Sequence, residues 1–226
     1  MRLLVINPNS TEAMTRSIAT AARASAGPDV EITATTPANS PPAIQGPEDG
    51  AAALPGLFAL VEAAIGGVAR PDAMVIACFD DTGVWDLKAR SPVPVIGIGE
   101  AACQAAMLVA QRFSIVTTLP VSVPVIEDNL ARYGFANRCA RVRAANVPVL
   151  DLETNKTAAE AAVRAETERA VREDGCGAIV LGCAGMADLA AGMTADLGLP
   201  VIDGVAAAVR LAQVFAPSPK KAHATA

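Results

Sequence analysis

The residues of this chain best suited to chemistry are two cysteines, Cys78 and Cys183, which occupy matching places in the sequence. Each follows a short apolar run, MVIA at 74–77 and IVLG at 179–182, and each precedes a probable helix. The positive end of a helix dipole stabilises a thiolate, so the pattern predicts thiol pKa values below the free value of ~8.5. One cysteine in such a place is often only a small core residue, but two in matched places favour a reactive pair.

Polar residues follow other apolar runs and are candidates for holding a ligand. Asn9 either contacts a ligand or caps a helix, and the pair Thr117-Thr118 either bonds a ligand or caps a turn. Asp80 and Asp81 are either a catalytic carboxylate pair or charges at a helix start, where the dipole favours them.

The loop 37–47, with the sequence PANSPPAIQGP, is the segment richest in Pro and Gly. It is either a lid over a cleft, with Ile44 as its apolar contact, or an ordinary surface crossover. Loops of this kind commonly carry function.

Composition excludes several classes of function. The one histidine, His223, lies in the segment KKAHATA, which argues against histidine-dependent nucleophilic catalysis and a histidine-ligated metal. The five cysteines include no C-x-x-C pair, so we expect neither a disulfide framework nor structural zinc. Gly97-Ile98-Gly99 lacks the rest of a dinucleotide fingerprint, and the net charge of −5 argues against nucleic acid. We therefore expect no cofactor, no metal and no nucleic-acid partner.

Eight short apolar runs, separated by Ala-rich helical stretches, predict strands. They are continuous runs without polar alternation, which is typical of a mainly parallel sheet covered by helices on both faces. The predicted strands are 2–6, 30–35, 74–78, 93–98, 113–117, 141–147, 178–182 and 199–202.

The strands divide into two similar halves. The spacing between the two cysteines differs by one residue from the spacing between the Pro-Val-Ile segments at 94–96 and 200–202. We therefore predict an α/β fold of two pseudo-symmetric Rossmann-like lobes, each a four-stranded, mainly parallel sheet flanked by helices. The predicted first lobe is 1–108, and its last helix either packs on that lobe or crosses over to the second. The predicted second lobe is 109–213, and residues 214–226 are predicted to form a flexible tail. Ligands of parallel sheets sit beyond the carboxyl ends of the strands, so both cysteines are expected to face one cleft between the lobes.

No segment predicts export or a membrane span. The apolar start LLVI at 3–6 is ended by Asn7-Pro8-Asn9, far short of a signal sequence. The stretch 51–69 is apolar, but Leu57, Val61 and Val68 fall at helical spacing, as in a helix that faces a core. The expected compartment is a reducing cytoplasm, and no membrane contact is expected.

Four separated motifs together resemble the aspartate/glutamate/hydantoin racemase superfamily, most closely its hydantoin racemase branch, with allantoin racemase beside it. They are VINPNST at 5–11, ACFDD at 77–81, FSIVTTLP at 113–120 and VLGCAGM at 180–186, and the likeness runs from residue 2 to about 213. The resemblance implies a cofactor-independent racemase with catalytic Cys78 and Cys183, and a homo-oligomer. It also implies a substrate site at Asn9, at Thr117 and Thr118, and just after each cysteine, at Phe79, Asp80, Ala184 and Gly185.

Departures from the superfamily pattern bear on the substrate. Phe79-Asp80 stands where enzymes for free acidic amino acids carry Asn-Thr, and a carboxylate there disfavours an anion, which favours a neutral cyclic ureide. Gln45 stands where hydantoin racemases are expected to carry an acidic residue. The resulting hypothesis is two-base racemisation at C5 of a 5-substituted hydantoin. Alternatives are allantoin as substrate, a decarboxylase or cis–trans isomerase on the same scaffold, and a non-catalytic small-ligand binding protein.

Overall fold

The computed structural model describes residues 1–215 as eight strands and nine α-helices. The strands are β1 Arg2–Ile6, β2 Glu31–Thr35, β3 Ala73–Ile76, β4 Val95–Gly97, β5 Phe113–Thr117, β6 Cys139–Ala144, β7 Ala178–Gly182 and β8 Val201–Asp203. The helices are α1 Glu12–Ser25, α2 Pro47–Gly66, α3 Val84–Arg90, α4 Ile98–Val109, α5 Val123–Tyr133, α6 Asp151–Thr154, α7 Lys156–Glu173, α8 Ala190–Leu197 and α9 Gly204–Phe215, with 3-10 helices at Pro120–Ser122 and Ala184–Leu189.

The strands form two four-stranded sheets of the same topology. The first sheet has the order β2-β1-β3-β4 and the second β6-β5-β7-β8, and every neighbouring pair is parallel. Each predicted strand is present, with ends moved by at most a few residues. The α/β fold of two pseudo-symmetric halves is confirmed. The lobe boundaries after residues 108 and 213 remain a proposal.

Alternate side chains of each sheet face two different cores. Val5 and Val75 of the first sheet and Ile115 and Val180 of the second belong to one shared apolar core, together with residues of α1, α4, α5 and α9. The other faces are covered separately, the first sheet by α2 and α3 and the second by α7 and α8. The continuous apolar runs arise because both faces of every central strand are buried.

Helix α9 joins the two halves. Val205 and Val209 are fully buried in the shared core, where α9 packs against α1 and α4 of the first half. The helix continues to Phe215, two residues beyond the predicted end of the second lobe, although its last buried residue is Ala212. The rest of the predicted tail, with His223, lies outside the described residues.

Helix α2 covers the first sheet with part of its surface. Leu57 and Val61 are buried, as predicted. Val68 is fully exposed, so the prediction of a core contact there is wrong, because the helix ends at Gly66. Among the helices of residues 1–215, α2 alone has the length and apolar composition to cross a membrane, a test that a sheet-covering helix of a globular protein also passes.

An ion-pair cluster holds the edge strand β6 to α7. Arg143 of β6 is 5% exposed, and its guanidinium donates to Asp174 (Nε to Oδ2, 2.8 Å), Glu166 (2.9 Å) and Glu173 (2.9 Å). Ser114 of β5 donates a further hydrogen bond to the Asp174 carboxylate at 2.8 Å. A buried guanidinium needs such complete pairing, since an unpaired buried charge is strongly destabilising.

Replacing Arg143 by Leu should therefore lower the free energy of unfolding by about 3–5 kcal/mol, because the buried Asp174 carboxylate loses its counter-charge. Urea denaturation measures the change. Arg172→Leu in the same α7 is the control: its pair with Glu168 is exposed and 4.0 Å long, so its loss should cost at most about 0.5 kcal/mol. Equal effects of the two substitutions would show that the cluster does not stabilise the fold.

Candidate functional site

A narrow cavity of about 30 Å³ lies at the carboxyl ends of the central strands, and both cysteines line it. Cys78 follows β3 of the first sheet and Cys183 follows β7 of the second. Of the other predicted site residues, those that line the cavity are Asn9, Ile44, Phe79, Asp80, Thr117, Thr118 and Ala184. Gly185, two residues after Cys183, does not line the cavity.

A tight turn positions Cys78. The Asp81 amide donates to the Cys78 carbonyl oxygen at 3.0 Å, and Asp81 adopts a left-handed backbone conformation with φ of 50°. The Cys78 sulfur lies 3.4 Å from the hydroxyl of Thr82. A helix follows Cys78, as predicted, but α3 begins only at Val84, so the turn separates the thiol from the N-terminus of that helix.

Cys183 stands at the start of the 3-10 helix Ala184–Leu189, as predicted for a helix start. Its carbonyl oxygen accepts a hydrogen bond from the Met186 amide at 3.1 Å. The preceding Gly182 carbonyl accepts the Thr117 hydroxyl at 2.9 Å, and a Cβ at Gly182 would lie 2.9 Å from the Thr117 Cα. The hydrogen bonds at the second cysteine therefore come from its own half.

Both thiols have raised pKa values, contrary to the prediction from helix dipoles. Burial raises the pKa of Cys183 to about 12, even though the Gly185 amide donates to its sulfur. Burial raises the pKa of Cys78 further, and the Asp80 carboxylate and the Cys183 sulfur add to it. Desolvation of the thiolate outweighs the hydrogen bonds here, so the cavity favours two neutral thiols at neutral pH.

The two carboxylates after Cys78 have different places. Asp80 lines the cavity, accepts a hydrogen bond from Ser122 at 3.3 Å, and has a pKa raised by burial to about 6. Asp81 points away from the cavity and accepts the amides of Gly99 and Glu100 at the start of α4, at 3.0 and 2.8 Å. Burial raises the pKa of Asp81 to about 7. Asp81 is thus a charge at a helix start, but of α4 and not of the helix that follows it.

Asn9 bonds to the backbone just before α1, although the N-cap residue of that helix is Thr11. Its side-chain oxygen accepts the Thr11 amide at 2.9 Å, before α1, and the Asn7 side-chain amide at 2.8 Å. Asn9 also lines the cavity. The Thr117 hydroxyl is bonded to the Gly182 carbonyl, which leaves Thr118 as the threonine whose hydroxyl has no such partner in the described residues.

The loop 37–47 closes one side of the cavity through Ile44, which is 7% exposed. The Pro41 carbonyl accepts the Ser10 amide at 2.9 Å. On the other side, the Gln45 side chain accepts the Val149 amide of the second half at 2.9 Å. Gln45, which stands where an acidic residue was expected, therefore links the loop to the opposite half.

Five residues of the lining were not among the predicted site residues: Met14, Ala77, Ser122, Val149 and Gly182. Ala77 and Gly182 directly precede the two cysteines, and Ser122 and Val149 reach the cavity through contacts across the two halves. Within residues 1–215 no group of three or more His, Cys, Asp or Glu side chains is placed to hold a metal ion.

Comparison with known proteins assigns the chain to a family. The family model described as Asp/Glu/Hydantoin racemase matches residues 3–212. A hydantoin racemase of Rhizobium meliloti is 45% identical over 95% of this chain and 88% of its own length. An allantoin racemase from Klebsiella pneumoniae superposes with a TM-score of 0.91 at 46% identity, over 96% of this chain and 90% of that one. An allantoin racemase from Pseudomonas fluorescens superposes with a TM-score of 0.89 at 37% identity, over 98% and 99%. The chain therefore belongs to the Asp/Glu/hydantoin racemase family and is an isomerase of the racemase class.

Proposed function

We propose that this protein racemises 5-substituted hydantoins at C5 without a cofactor, by proton transfer between Cys78 and Cys183. The observation that carries the proposal is that the two thiols line one cavity from two different sheets. A racemase that protonates opposite faces of a planar carbon needs two acid–base groups on opposite sides, and the pseudo-symmetric halves supply one each.

The proton balance is simple. One cysteine, as thiolate, takes the C5 proton and becomes a thiol, while the electron pair moves into the ring carbonyl to form an enolate. The other cysteine, as thiol, gives its proton to the opposite face and becomes the thiolate, and the reverse turnover restores the first state. The pair therefore titrates as one coupled unit.

Backbone amides near the cysteines are the proposed donors to the enolate oxygen. The amides of Phe79 and Ala184 follow the two cysteines directly, and Thr118 lines the same cavity. Gly185 does not line the cavity, so its proposed role is to favour the Cys183 thiolate by lowering the pKa of that thiol. A preorganised donor of this type contributes about 3 kcal/mol to the stability of an oxyanion transition state.

The lining favours a neutral ring with an apolar substituent. The Asp80 carboxylate repels an anionic substrate. Met14, Ile44 and Val149 offer apolar surface, which suits a hydrocarbon 5-substituent better than the polar ureido group of allantoin. Allantoin is the second candidate, because a structural relative at 46% identity is an allantoin racemase.

Substrate entry requires the cavity to expand, since about 30 Å³ holds no more than one or two water molecules. We propose that the loop 37–47 moves as a lid, with Ile44 withdrawing from the cavity and the Gln45–Val149 hydrogen bond breaking.

We also propose a homo-oligomer and a cytoplasmic location. Leu108 at the end of α4 and Phe215 at the end of α9 are 84% and 61% exposed, which suits contact with a second copy. All five cysteines are free, which suits a reducing compartment.

Replacing either Cys78 or Cys183 by Ser should lower racemisation by about 10²–10⁴-fold, because a hydroxyl is a poor base at neutral pH. The remaining cysteine can still remove and return hydrogen on its own face. In D₂O each variant should therefore exchange the C5 hydrogen of one enantiomer with retention, and the two variants should prefer opposite enantiomers. Proton NMR and polarimetry on each pure enantiomer measure exchange and inversion.

Cys176→Ser is the matched control for this experiment, because Cys176 lies outside the cavity with its sulfur 3.8 Å from the Ala170 carbonyl oxygen. It should racemise at the parent rate. Exchange of the same enantiomer by both variants, or near-normal racemisation by either, would contradict the two-cysteine mechanism.

Asp80→Asn should shift the pH dependence of kcat/KM. The Asp80 charge raises the pKa of both thiols, so its removal lowers those values and increases the thiolate fraction at a given pH. The rise of kcat/KM with pH should therefore begin at lower pH than in the parent protein. Asp86→Asn, which alters an exposed carboxylate on α3, should leave the profile in place. Identical profiles for Asp80→Asn and the parent would refute the effect.

Optically pure L-benzylhydantoin should lose its rotation faster than S-allantoin at equal concentration, because the apolar lining suits the benzyl group. Polarimetry without added cofactor measures both rates. A faster reaction with S-allantoin would select the second candidate, and an unchanged rotation with both substrates would reject racemisation of cyclic ureides.

A further inference from the structure

The loop that carries Cys78, residues 78–83, is held by helix α5 of the opposite half. Three polar side chains of the second half reach it. The Tyr133 hydroxyl donates to the Asp81 carboxylate at 2.7 Å, Asn129 donates to the Asp80 carbonyl oxygen at 2.8 Å, and Ser122 bonds the Asp80 carboxylate at 3.3 Å. Tyr133 also stacks on Trp85 of α3, with ring centroids 5.2 Å apart.

On its other side this loop is packed against the start of α4. The Asp81 carboxylate accepts the Gly99 and Glu100 amides, and a Cβ at Gly99 would overlap the Phe79 carbonyl oxygen. Asp81 keeps its left-handed conformation, φ 50°, only because these contacts determine it. The position of Cys78 thus depends on where α4 and α5 meet the Asp81 side chain.

The loops of the two cysteines differ in which half supplies their hydrogen bonds, although the two halves are similar. Hydrogen bonds that hold the Cys183 loop come from its own half, from Thr117 to the Gly182 carbonyl and from Met186 to the Cys183 carbonyl. The capping carboxylate of the second half is also local: Asp203, at the end of β8, accepts the Val205 and Ala206 amides at the start of α9. In the first half the corresponding strand end is Gly97, which has no side chain. The carboxylate that accepts an amide at the start of α4 comes instead from Asp81 in the Cys78 loop.

We infer that Tyr133 and Asn129 are positioning residues for Cys78, which place its thiol for proton transfer on one face of the substrate and have no such effect on Cys183. This inference deepens the proposed two-cysteine function and rests on it. Displacing an acid–base group by a fraction of an ångström slows proton transfer on its own face, whereas the opposite face keeps its geometry.

The test combines Tyr133→Phe with each single cysteine variant. In the Cys183→Ser background, only Cys78 exchanges the C5 hydrogen of L- or D-benzylhydantoin for deuterium, and Tyr133→Phe should slow that exchange by about tenfold or more. In the Cys78→Ser background, exchange by Cys183 should change by less than about twofold. Equal slowing in both backgrounds would mean general destabilisation and would overturn the inference, as would no slowing in either.

Ser114→Ala is the matched control, because it also removes a hydroxyl that donates to a buried aspartate, at 2.8 Å, but lies in the ion-pair cluster of β6 and α7. It should affect neither exchange rate. Asn129→Ala is the second variant: it removes the hydrogen bond to the Asp80 carbonyl and leaves the Tyr133 hydroxyl in place. It should reproduce the selective slowing even if Tyr133→Phe does not fold.

A second readout does not depend on the reaction. Iodoacetamide labelling of the otherwise unaltered chain, followed by mass spectrometry of the two cysteine peptides, should show faster labelling of Cys78 in Tyr133→Phe, because its loop is released, and an unchanged rate at Cys183. If neither single cysteine variant exchanges deuterium, the proposed function fails, and this labelling ratio alone decides the inference. Equal labelling changes at both cysteines, or none, would refute it.

Discussion

The packing of both parallel sheets against one layer of helices sets the separation of the two cysteines. Val75 of β3 and Val180 of β7 are fully buried in the same apolar core, each three residues before its cysteine, Cys78 or Cys183. Neither sheet can slide on α1, α4 and α9 without opening that core, which interiors packed at crystal density resist. The site therefore takes its precision from apolar packing at some distance from the reacting atoms.

The same burial that fixes the thiols works against their ionisation. Desolvation raises the pKa of both, and the Asp80 carboxylate, itself with a pKa of about 6, adds a negative charge beside them. A cavity of this kind discriminates against anions and suits a neutral ring whose charge develops only during the reaction. It also makes the thiolate the minority form of each cysteine at neutral pH.

The sequence alone was sufficient for the fold and for most of the cavity lining. Continuous apolar runs and a near-constant offset between the halves identified all eight strands, because burial on both faces leaves a local pattern. The direction of the thiol pKa shifts was predicted wrongly, since it depends on how deeply the turn after each strand is buried. Ser122 and Val149 were missed because only the contact between the halves brings them to the cavity, and no spacing rule encodes it. The helix dipole predicted that Asp81 lies at a helix start, but the sequence did not indicate that this helix is α4.

Helix α9 has a consequence for synthesis of the chain. The faces of α1 and α4 that it covers are complete once residue 109 has left the ribosome, but α9 itself begins at Gly204, after the whole second sheet. Translation at about 5–20 residues per second leaves that apolar surface uncovered for several seconds. The first half therefore exposes apolar surface until α9 has been made, although its own sheet is contiguous in sequence.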